Sequence, residues 1–128
     1  MPKTERQKLI ERCDDLASEI VRRRAIQRAN GCEKCLHEHT WKELQCCHFI
    51  TRTIFNTRWD LENLVGLCCG CHRYLDRRPK VKEAWWRNLI GDDRVDLLYA
   101  RERYTGKAEL EWQEVYLRQE LEKIRGQE

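Results

Sequence analysis

Two Cys-x-x-Cys pairs constrain the fold of this chain more than any other feature of its sequence. They are Cys32 with Cys35, and Cys68 with Cys71. Two residues between the cysteines of a pair let both sulfurs turn toward one point, so two pairs can complete a tetrahedral site. Four thiolates favour zinc or an iron–sulfur cluster over magnesium. The spacing therefore predicts a closed structural site at these four residues, and we expect it to hold Zn²⁺.

Cysteine usage and composition agree with a metal site rather than with disulfides. The chain has eight cysteines among 128 residues. In a secreted protein they would suggest a disulfide framework, but the first residues, MPKTERQKLI, lack the apolar core of a signal peptide. We therefore expect a protein of the cytoplasm. No apolar run approaches the roughly 20 residues of a membrane-spanning helix, so no membrane association is expected.

The first thirty residues predict one long helix. Thr4 can cap it, and Leu9, Cys13, Leu16 and Ile20 recur at helical spacing. The Asn-Gly step before Cys32 ends the pattern. We interpret Cys13, on the apolar face, as a small buried hydrophobic residue.

Residues 31–78 form a different region, in which the helical period disappears. The segments WKELQCCHFI and TIFNTRWD each predict a short strand, with the hairpin turn near Thr51 to Asn56. The segment LENLVGL then predicts a connection into a helix from about residue 69 to residue 77. This order is a ββα unit carrying all four cysteines of the paired motifs.

Residues 79–128 predict two or three further helices, packed on the core or on a partner subunit. Pro79 opens this region, Gly91 ends its first helix, and Asp92 can cap the second. We interpret Trp85 and Trp86 as packing residues, with stacking on exposed bases as the alternative. The predicted fold class is α+β and mostly helical, with one domain overall: a zinc-stapled ββα core, a long N-terminal helix and a C-terminal helical extension.

Three polar residues fall in a suggestive order around the second half of the cage. His48 follows Cys46 and Cys47, Asn63 comes next, and His72 stands directly after the last cage cysteine. His48 could be a catalytic base, a zinc ligand or a packed core residue. Because four cysteines already complete a site, we favour the base. Of the two adjacent cysteines we assign the inward-facing position to Cys46.

These residues carry a resemblance to a known group of enzymes. The segments CHFI and LENLVGLCCGCHRYLD resemble the HNH endonuclease superfamily, whose core is a ββα-metal fold. The wider stretch over residues 20–78 is similar to the phage lambda NinG-type family of recombination-associated proteins. The resemblance implies that His48 is the general base, that His72 binds a catalytic divalent metal, and that the Asn63 amide holds the loop that aims His48.

One position departs from the superfamily pattern. Many members have an aspartate that binds the catalytic metal immediately before the histidine base, and here that position is Cys47. A thiolate is a poor magnesium ligand. Asp60 could reach the metal instead, or Cys47 and His72 could bind a softer ion, or the site could be inactive. We expect Mg²⁺ or Mn²⁺ as the catalytic ion, with Ni²⁺ as an alternative.

Charge supports DNA as the partner without identifying it. The net charge is +3, and the densest basic run is VRRRAIQR. Arginines near the motif or in this run are candidate phosphate contacts. The candidates are Arg22, Arg23, Arg24, Arg28, Arg52, Arg58 and Arg73.

The expected function is that of a metal-dependent DNA endonuclease. The resemblance to NinG-type proteins points to branched DNA or recombination intermediates, a bacterial host cell, and a phage or prophage origin. It also suggests a homodimer and recombination proteins as partners. The alternative is a zinc module that binds DNA or a recombinase without cutting. A redox switch built from Cys46, Cys47 and Cys69 is a weaker third hypothesis.

Overall fold

A computed structural model describes residues 1–106 and 109–128 of the chain. Within them lie six α-helices and one two-stranded sheet. In chain order they are α1 (Glu5–Ala29), β1 (Gln45–His48), α2 (Phe55–Arg58), β2 (Leu64–Leu67), α3 (Cys69–Asp76), α4 (Pro79–Ile90), α5 (Asp92–Glu102) and α6 (Leu110–Gly126). The mostly helical α+β class is confirmed. The predicted start of the last helix, at residues 107 and 108, lies outside the described residues.

Helix α1 begins and ends where the sequence predicts. The Thr4 hydroxyl accepts a hydrogen bond from the Gln7 backbone at 3.1 Å, and the Gln7 side chain accepts one from the Thr4 backbone at 2.8 Å. This reciprocal cap satisfies two amides that have no partner inside the helix. At the other end Asn30 adopts the left-handed conformation, with φ of 53°. The helix therefore stops just before the first cysteine pair.

The second strand is not where the sequence predicted it. TIFNTRWD forms a loop and the short helix α2, and the partner of β1 is the buried segment Leu64–Leu67. The two strands are antiparallel, with Gln45 opposite Leu67 and His48 opposite Leu64. Since β2 is buried along its whole length, it shows no alternation of apolar and polar residues. The apolar run LVGL therefore carries no strand pattern in the sequence, which predicts a connection there.

A close approach to α1 explains the glycine in β2. A Cβ atom at Gly66 would lie 2.8 Å from the Ala25 Cβ atom and 3.3 Å from the Val21 carbonyl oxygen. Real side chains do not approach so closely, so only glycine lets the strand lie against the helix here. The strand, and with it the second cysteine pair, is thereby held at a defined distance from α1.

Two apolar clusters fill the interior. The first joins α1 to α6 and includes Leu9, Cys13, Ala17, Ile20, Val21, Trp59, Leu64, Leu110, Leu117 and Leu121. The second joins the sheet and the end of α1 to α3, α4 and α5 and includes Ala25, Cys32, Leu44, Cys47, Val65, Leu67, Leu75, Trp86 and Val95. The C-terminal helices therefore pack on the core of the same chain, and Cys13 is buried as predicted.

The tryptophan pair on α4 packs inward. Trp86 is fully buried, its ring stacks on Phe49 with centroids 5.3 Å apart, and its indole N–H donates to the Glu62 carbonyl at 2.9 Å. Packing, rather than base stacking, is confirmed for Trp86. Because Phe49 directly follows His48, helix α4 helps to fix the end of β1. No helix among the described residues has both the length and the apolarity to cross a membrane.

Candidate metal centres

The four paired cysteines converge on one point. Their sulfur atoms all lie within 4.8 Å of one another, and the sulfurs of Cys35 and Cys68 are 3.9 Å apart. Zinc–sulfur bonds of about 2.3 Å in a tetrahedron separate neighbouring sulfurs by roughly 3.8 Å, whereas a disulfide would bring them to about 2.05 Å. All eight cysteines are free. The group can therefore hold a structural metal ion such as zinc.

Two thiols of this cage, those of Cys32 and Cys71, differ in acidity. Burial raises the pKa of Cys32, but backbone hydrogen bonds from Cys68, Cys35 and Lys34 outweigh burial and lower its pKa to about 7. Burial, together with the neighbouring thiols, raises the pKa of Cys71 above its ordinary value. Cys32 therefore forms a thiolate near neutral pH, whereas binding of a cation is what would deprotonate Cys71.

The first cysteine pair is tied to the sheet by a buried carboxylate. Glu33 accepts a hydrogen bond from the Gly66 backbone at 2.8 Å and returns one from its own amide to the Gly66 carbonyl at 3.1 Å. Its side chain is almost completely buried and also faces Arg28 at 3.4 Å. Glu33 thus holds the two halves of the cage in register. The sequence reading missed it, since one acid between two cysteines carries no distinctive pattern.

A second group of possible metal ligands lies farther along α3, beside the same apolar cluster as the cage. Cys47 from β1 meets His72 and Asp76 from α3, and their donor atoms lie within 4.8 Å of one another. The Cys47 sulfur is 3.9 Å from Asp76 Oδ1, and His72 Nε2 is 3.2 Å from Asp76 Oδ2. We call these three residues the mixed cluster. It brings together two residues predicted from the sequence and adds Asp76.

The orientation of His72 is set by Gln45. The Nδ1 atom of His72 lies 2.8 Å from the side-chain oxygen of Gln45, which can only accept a hydrogen bond, so Nδ1 carries a proton. The Nε2 atom points toward Asp76, the other member of the mixed cluster on α3. Metal-binding histidines are commonly oriented by such a partner. The four-residue spacing of His72 and Asp76 places both on one face of α3, a signal that could have identified Asp76.

A lysine from α4 completes the surroundings of the mixed cluster. The Lys82 ammonium lies 2.7 Å from Asp76 Oδ1. Burial raises the pKa of the Cys47 thiol to about 12, although the positive charge of Lys82 lowers it. The group thus consists of a thiol, an imidazole, a carboxylate and an ammonium. Sulfur, nitrogen and oxygen donors together fit a borderline ion such as Zn²⁺, Ni²⁺ or Co²⁺ better than Mg²⁺.

One cavity connects the mixed cluster to His48. It has a volume of about 400 Å³. Its lining residues are Cys46, His48, Phe49, Thr51, Arg52, His72, Asp76 and Lys82. The inward-facing position predicted for Cys46 is wrong, because Cys47 is the fully buried one of the two and Cys46 is half-buried beside the cavity. Cys47 at the same time faces the mixed cluster. The thiols of both cysteines have pKa values raised by burial to about 12, which leaves little thiolate for redox chemistry.

His48 is uncharged at neutral pH. Burial, followed by the positive charge of Arg52, lowers its pKa to about 4, while a hydrogen bond to the Arg58 backbone opposes that change. The neutral ring is the form that can accept a proton. On its other side His48 borders a second cavity of about 500 Å³, which contains the α1 carboxylates Glu11, Asp14 and Asp15.

Asn63 locks the loop that follows His48. Its side chain is fully buried. The amide nitrogen donates to the Ile50 carbonyl at 3.1 Å and to the Thr57 carbonyl at 3.0 Å, while its oxygen accepts from the Ile50 amide at 2.8 Å. All of the polar atoms of this amide are engaged, so residues 50–57 are fixed relative to β2. The same bonds explain why this segment is a loop and not a strand.

Asp60 lies outside the mixed cluster. Its side chain accepts a hydrogen bond from the Glu62 backbone at 3.0 Å and forms an ion pair with Arg101. It borders a cavity between α2, α5 and α6, together with Tyr116. The structure therefore does not bring Asp60 to His72, and Asp76 takes the carboxylate position that was considered for it.

The seven candidate arginines have different surroundings. Arg24 is partly buried and donates to the Leu61 and Leu64 carbonyls at 3.0 and 2.6 Å, so it ties α1 to the start of β2. Arg52 and Arg58 both bind Asp14 and border the cavity next to His48. The others contact side chains of the same chain, namely Arg22 with Ser18, Arg23 with Glu19 and Glu128, Arg28 with Glu33, and Arg73 with Cys69.

Comparisons of the chain with protein-family models, with curated proteins and with solved structures find no match.

Proposed function

We propose that the chain is a metal-dependent DNA endonuclease of the HNH type. The observation that carries the proposal is one cavity bordered on one side by the neutral imidazole of His48 and on the other by the mixed cluster. A base without positive charge facing a set of metal ligands is the arrangement that phosphodiester hydrolysis needs. The four-cysteine cage would hold Zn²⁺ and stabilise the ββα core without taking part in the reaction.

The residues of the chain divide the chemistry between them. His48 would accept the proton of the attacking water, and Asn63 would keep His48 aimed by fixing the loop that follows it. Cys47, His72 and Asp76 would hold the catalytic ion, with the Gln45 contact orienting His72. Such an ion supplies positive charge to the scissile phosphate and to the leaving oxygen.

Charge selects the side from which DNA would approach. The cavity toward α1 is lined by three carboxylates and two guanidinium groups, those of Glu11, Asp14, Asp15, Arg52 and Arg58. The cavity toward α3 is lined by two cations and one carboxylate, those of Arg52, Lys82 and Asp76. A phosphate would therefore enter beside the mixed cluster. Asp14 would hold Arg52 next to this entrance, whereas Arg58, which Asp14 also binds, borders the cavity toward α1.

The substrate class rests on the resemblance to NinG-type proteins. We propose branched DNA or recombination intermediates as substrates, and recombination proteins as partners. A homodimer would suit a junction that must be cut on two strands. The apolar faces of α1 and α6 pack against each other within the chain, so a second copy would have to use other surfaces. Trp112, Val115 and Tyr116 on α6 are exposed.

The test is cleavage of linear, flapped and four-way-junction DNA by the wild type and by His48→Ala. Each reaction would contain Mg²⁺, Mn²⁺ or Ni²⁺, with EDTA as the ion-free control. We expect cleavage that needs an added ion and that falls at least about 100-fold in His48→Ala. His37→Ala is the matched control, because His37 is an exposed histidine in the loop after Cys35. Equal loss in both variants, or full cleavage by His48→Ala, would contradict the assignment.

A specific observation favours a second function, DNA binding without cleavage. The Lys82 ammonium already neutralises Asp76, and burial keeps Cys47 protonated. A site in which this arrangement persists would not take up an ion. The protein would then bind DNA with a salt dependence set by its arginines. It would not cut DNA, whichever divalent ion is added.

A further inference from the structure

We propose that Lys82 is an internal counter-cation of the mixed cluster, which competes with the divalent ion for Asp76 and binds the substrate phosphate once that ion is present. The first part concerns ion binding alone. The second part rests on the proposed nuclease function. Lys82 belongs to α4, in the C-terminal extension, so the site would depend on a region outside the ββα unit.

The burial of Lys82 distinguishes its contact with Asp76 from an ordinary ion pair at the surface. Its side chain is only 13% exposed, whereas that of its partner Asp76 is 48% exposed. Lysine side chains are rarely buried to this extent unless they are paired. The helix directs the ammonium into the cavity shared by His48 and His72 instead of into solvent. Lys82 is therefore a member of the site, although no motif includes it.

The geometry at Asp76 shows why the ammonium and the ion would exclude one another. The Lys82 ammonium lies 2.7 Å from Asp76 Oδ1, and the Cys47 sulfur lies 3.9 Å from the same oxygen. An ion held between Cys47 and Asp76 would therefore take the oxygen that the ammonium now contacts. The ammonium is left as an excess positive charge, because its carboxylate partner now serves the ion.

The excess charge has two cavities within reach, because Lys82 also lines one of about 360 Å³ that contains Glu83 and Glu102, whose carboxylates leave no room for a phosphate charge there. The cavity of about 400 Å³ extends from Lys82 to Thr51, Arg52 and His48. The flexible stem of lysine lets its ammonium turn into this space, where a phosphate would provide the compensating negative charge. The same side chain would thus disfavour the ion in the absence of DNA and favour the phosphate in its presence.

The experiment measures binding of a second metal ion without any DNA. Protein carrying one equivalent of Zn²⁺ in the cage is titrated with Co²⁺ by calorimetry and by the cobalt–thiolate charge-transfer absorption that Cys47 would produce. The variants are Lys82→Met, which keeps most of the apolar stem, and Lys82→Gln, a second neutral replacement. Lys80→Met is the matched control, since Lys80 is an exposed lysine two residues away on the same helix.

We expect Co²⁺ to bind at least about tenfold more tightly to Lys82→Met and Lys82→Gln than to the wild type. The reason is that the positive charge of the Lys82 ammonium repels a dication bound to the neighbouring Asp76. Lys80→Met should bind like the wild type. Equal affinities in the wild type and both Lys82 variants would overturn the proposal. They would leave the proposed nuclease function standing, provided that the cobalt–thiolate absorption appears.

A different result would overturn both proposals. If no protein takes up Co²⁺ beyond the cage, the mixed cluster is not an ion site, and neither the competition nor the proposed catalytic ion exists. Cleavage supplies the remaining readout. With saturating ion, Lys82→Met should have a higher KM for DNA than the wild type, while Lys82→Arg should recover most of the difference. An unchanged KM in Lys82→Met would overturn the phosphate-binding role.

Discussion

The cage and the mixed cluster share a helix but differ in every other respect. Cys71 and His72 are neighbours on α3, yet Cys71 faces three other sulfurs and His72 faces a sulfur, a carboxylate and a cavity. The cage uses one donor type and is completed by backbone amides around Cys32. The mixed cluster uses three donor types and includes the half-exposed Asp76.

The donors of each site determine what it could do. A closed set of four thiolates leaves no position for substrate and would stabilise the folded chain when it holds a metal ion. An open set of three unlike donors beside a cavity leaves room for water and phosphate, and it would hold an ion more weakly. By placing both sets on α3, the chain lets the ion of the cage fix the helix from which the other ion would act.

Replacing one ligand of the cage and one ligand of the mixed cluster should give the largest difference in stability between two variants. Cys71→Ser removes a cage ligand, and we expect the protein to lose Zn²⁺ and most of its folded structure, because structural zinc sites contribute about 10–16 kcal/mol, as much as the roughly 5–15 kcal/mol of stability that a domain has. Asp76→Asn should keep the zinc content and the unfolding transition of the wild type. Zinc analysis and circular dichroism on heating measure both.

Helix α3 also contains a cysteine that serves as the control for Cys71→Ser. Cys69→Ser changes an exposed cysteine in the first turn of α3, between the cage ligands Cys68 and Cys71. It should leave zinc content and folding unchanged. A folded, zinc-containing Cys71→Ser protein would mean that the cage is not the main source of stability in this core.

The Asn63→Ala substitution tests whether hydrogen bonds within the fold, rather than a bound ion, fix the loop beside the mixed cluster. In Asn63→Ala the amide of Ile50 and the carbonyls of Ile50 and Thr57 lose their partner. We expect a loss of about 3 kcal/mol in the free energy of unfolding, since each buried group left without a hydrogen bond costs about 1–3 kcal/mol. Urea unfolding with saturating Zn²⁺ measures it.

A substitution at an exposed asparagine supplies the reference for this measurement. Asn88→Ala, on the outer face of α4, should change the free energy of unfolding by less than about 0.5 kcal/mol. Similar losses at both positions would show that the Asn63 hydrogen bonds contribute nothing particular to the loop after His48.

The same contrast explains which features the sequence could predict. The cage, α1 and α3 follow from local patterns: cysteine spacing, a cap at Thr4 and a helical period. β2 does not, because a strand buried on both faces lacks alternation and its partner choice depends on the approach of α1 at Gly66. His48, Asn63 and His72 could be named from their order, and the structure places His48 and His72 on one cavity.

The unpredicted members of the two sites are supplied by tertiary contacts. Lys82 reaches Asp76 only because α4 folds back along α3, and Glu33 reaches Gly66 only because the first cysteine pair packs beside β2. Arg24 is a candidate DNA contact from its place in a basic run, and the structure adds hydrogen bonds from it to the Leu61 and Leu64 carbonyls. Charge along the sequence does not indicate which arginines face solvent.

The ion preference of the mixed cluster should depend on its sulfur ligand. Cys47→Asp replaces that sulfur with a carboxylate, the donor that Mg²⁺ prefers. We expect cleavage with Mg²⁺ to rise about tenfold and cleavage with Ni²⁺ to fall, within the 10–100-fold range of ligand-sphere effects. Cys46→Asp, at the neighbouring position, should not change the preference. The ratio of rates with the two ions measures the effect independently of total activity.

The smallest effect concerns strain in the cage. Leu36, directly after the first cysteine pair, has φ of 64°, and its side chain is 65% exposed. A left-handed conformation costs a residue that has a Cβ atom roughly 1–2 kcal/mol, and glycine avoids this cost. Glycine also gives the unfolded chain more conformational entropy, which offsets part of the gain in stability. Leu36→Gly should therefore stabilise the zinc-loaded protein by about 0.5 kcal/mol. Leu97→Gly, at an exposed position inside α5, should destabilise it by about 1 kcal/mol. If both substitutions destabilise the protein equally, the turn after Cys35 is not strained, and the cage is closed without any backbone cost.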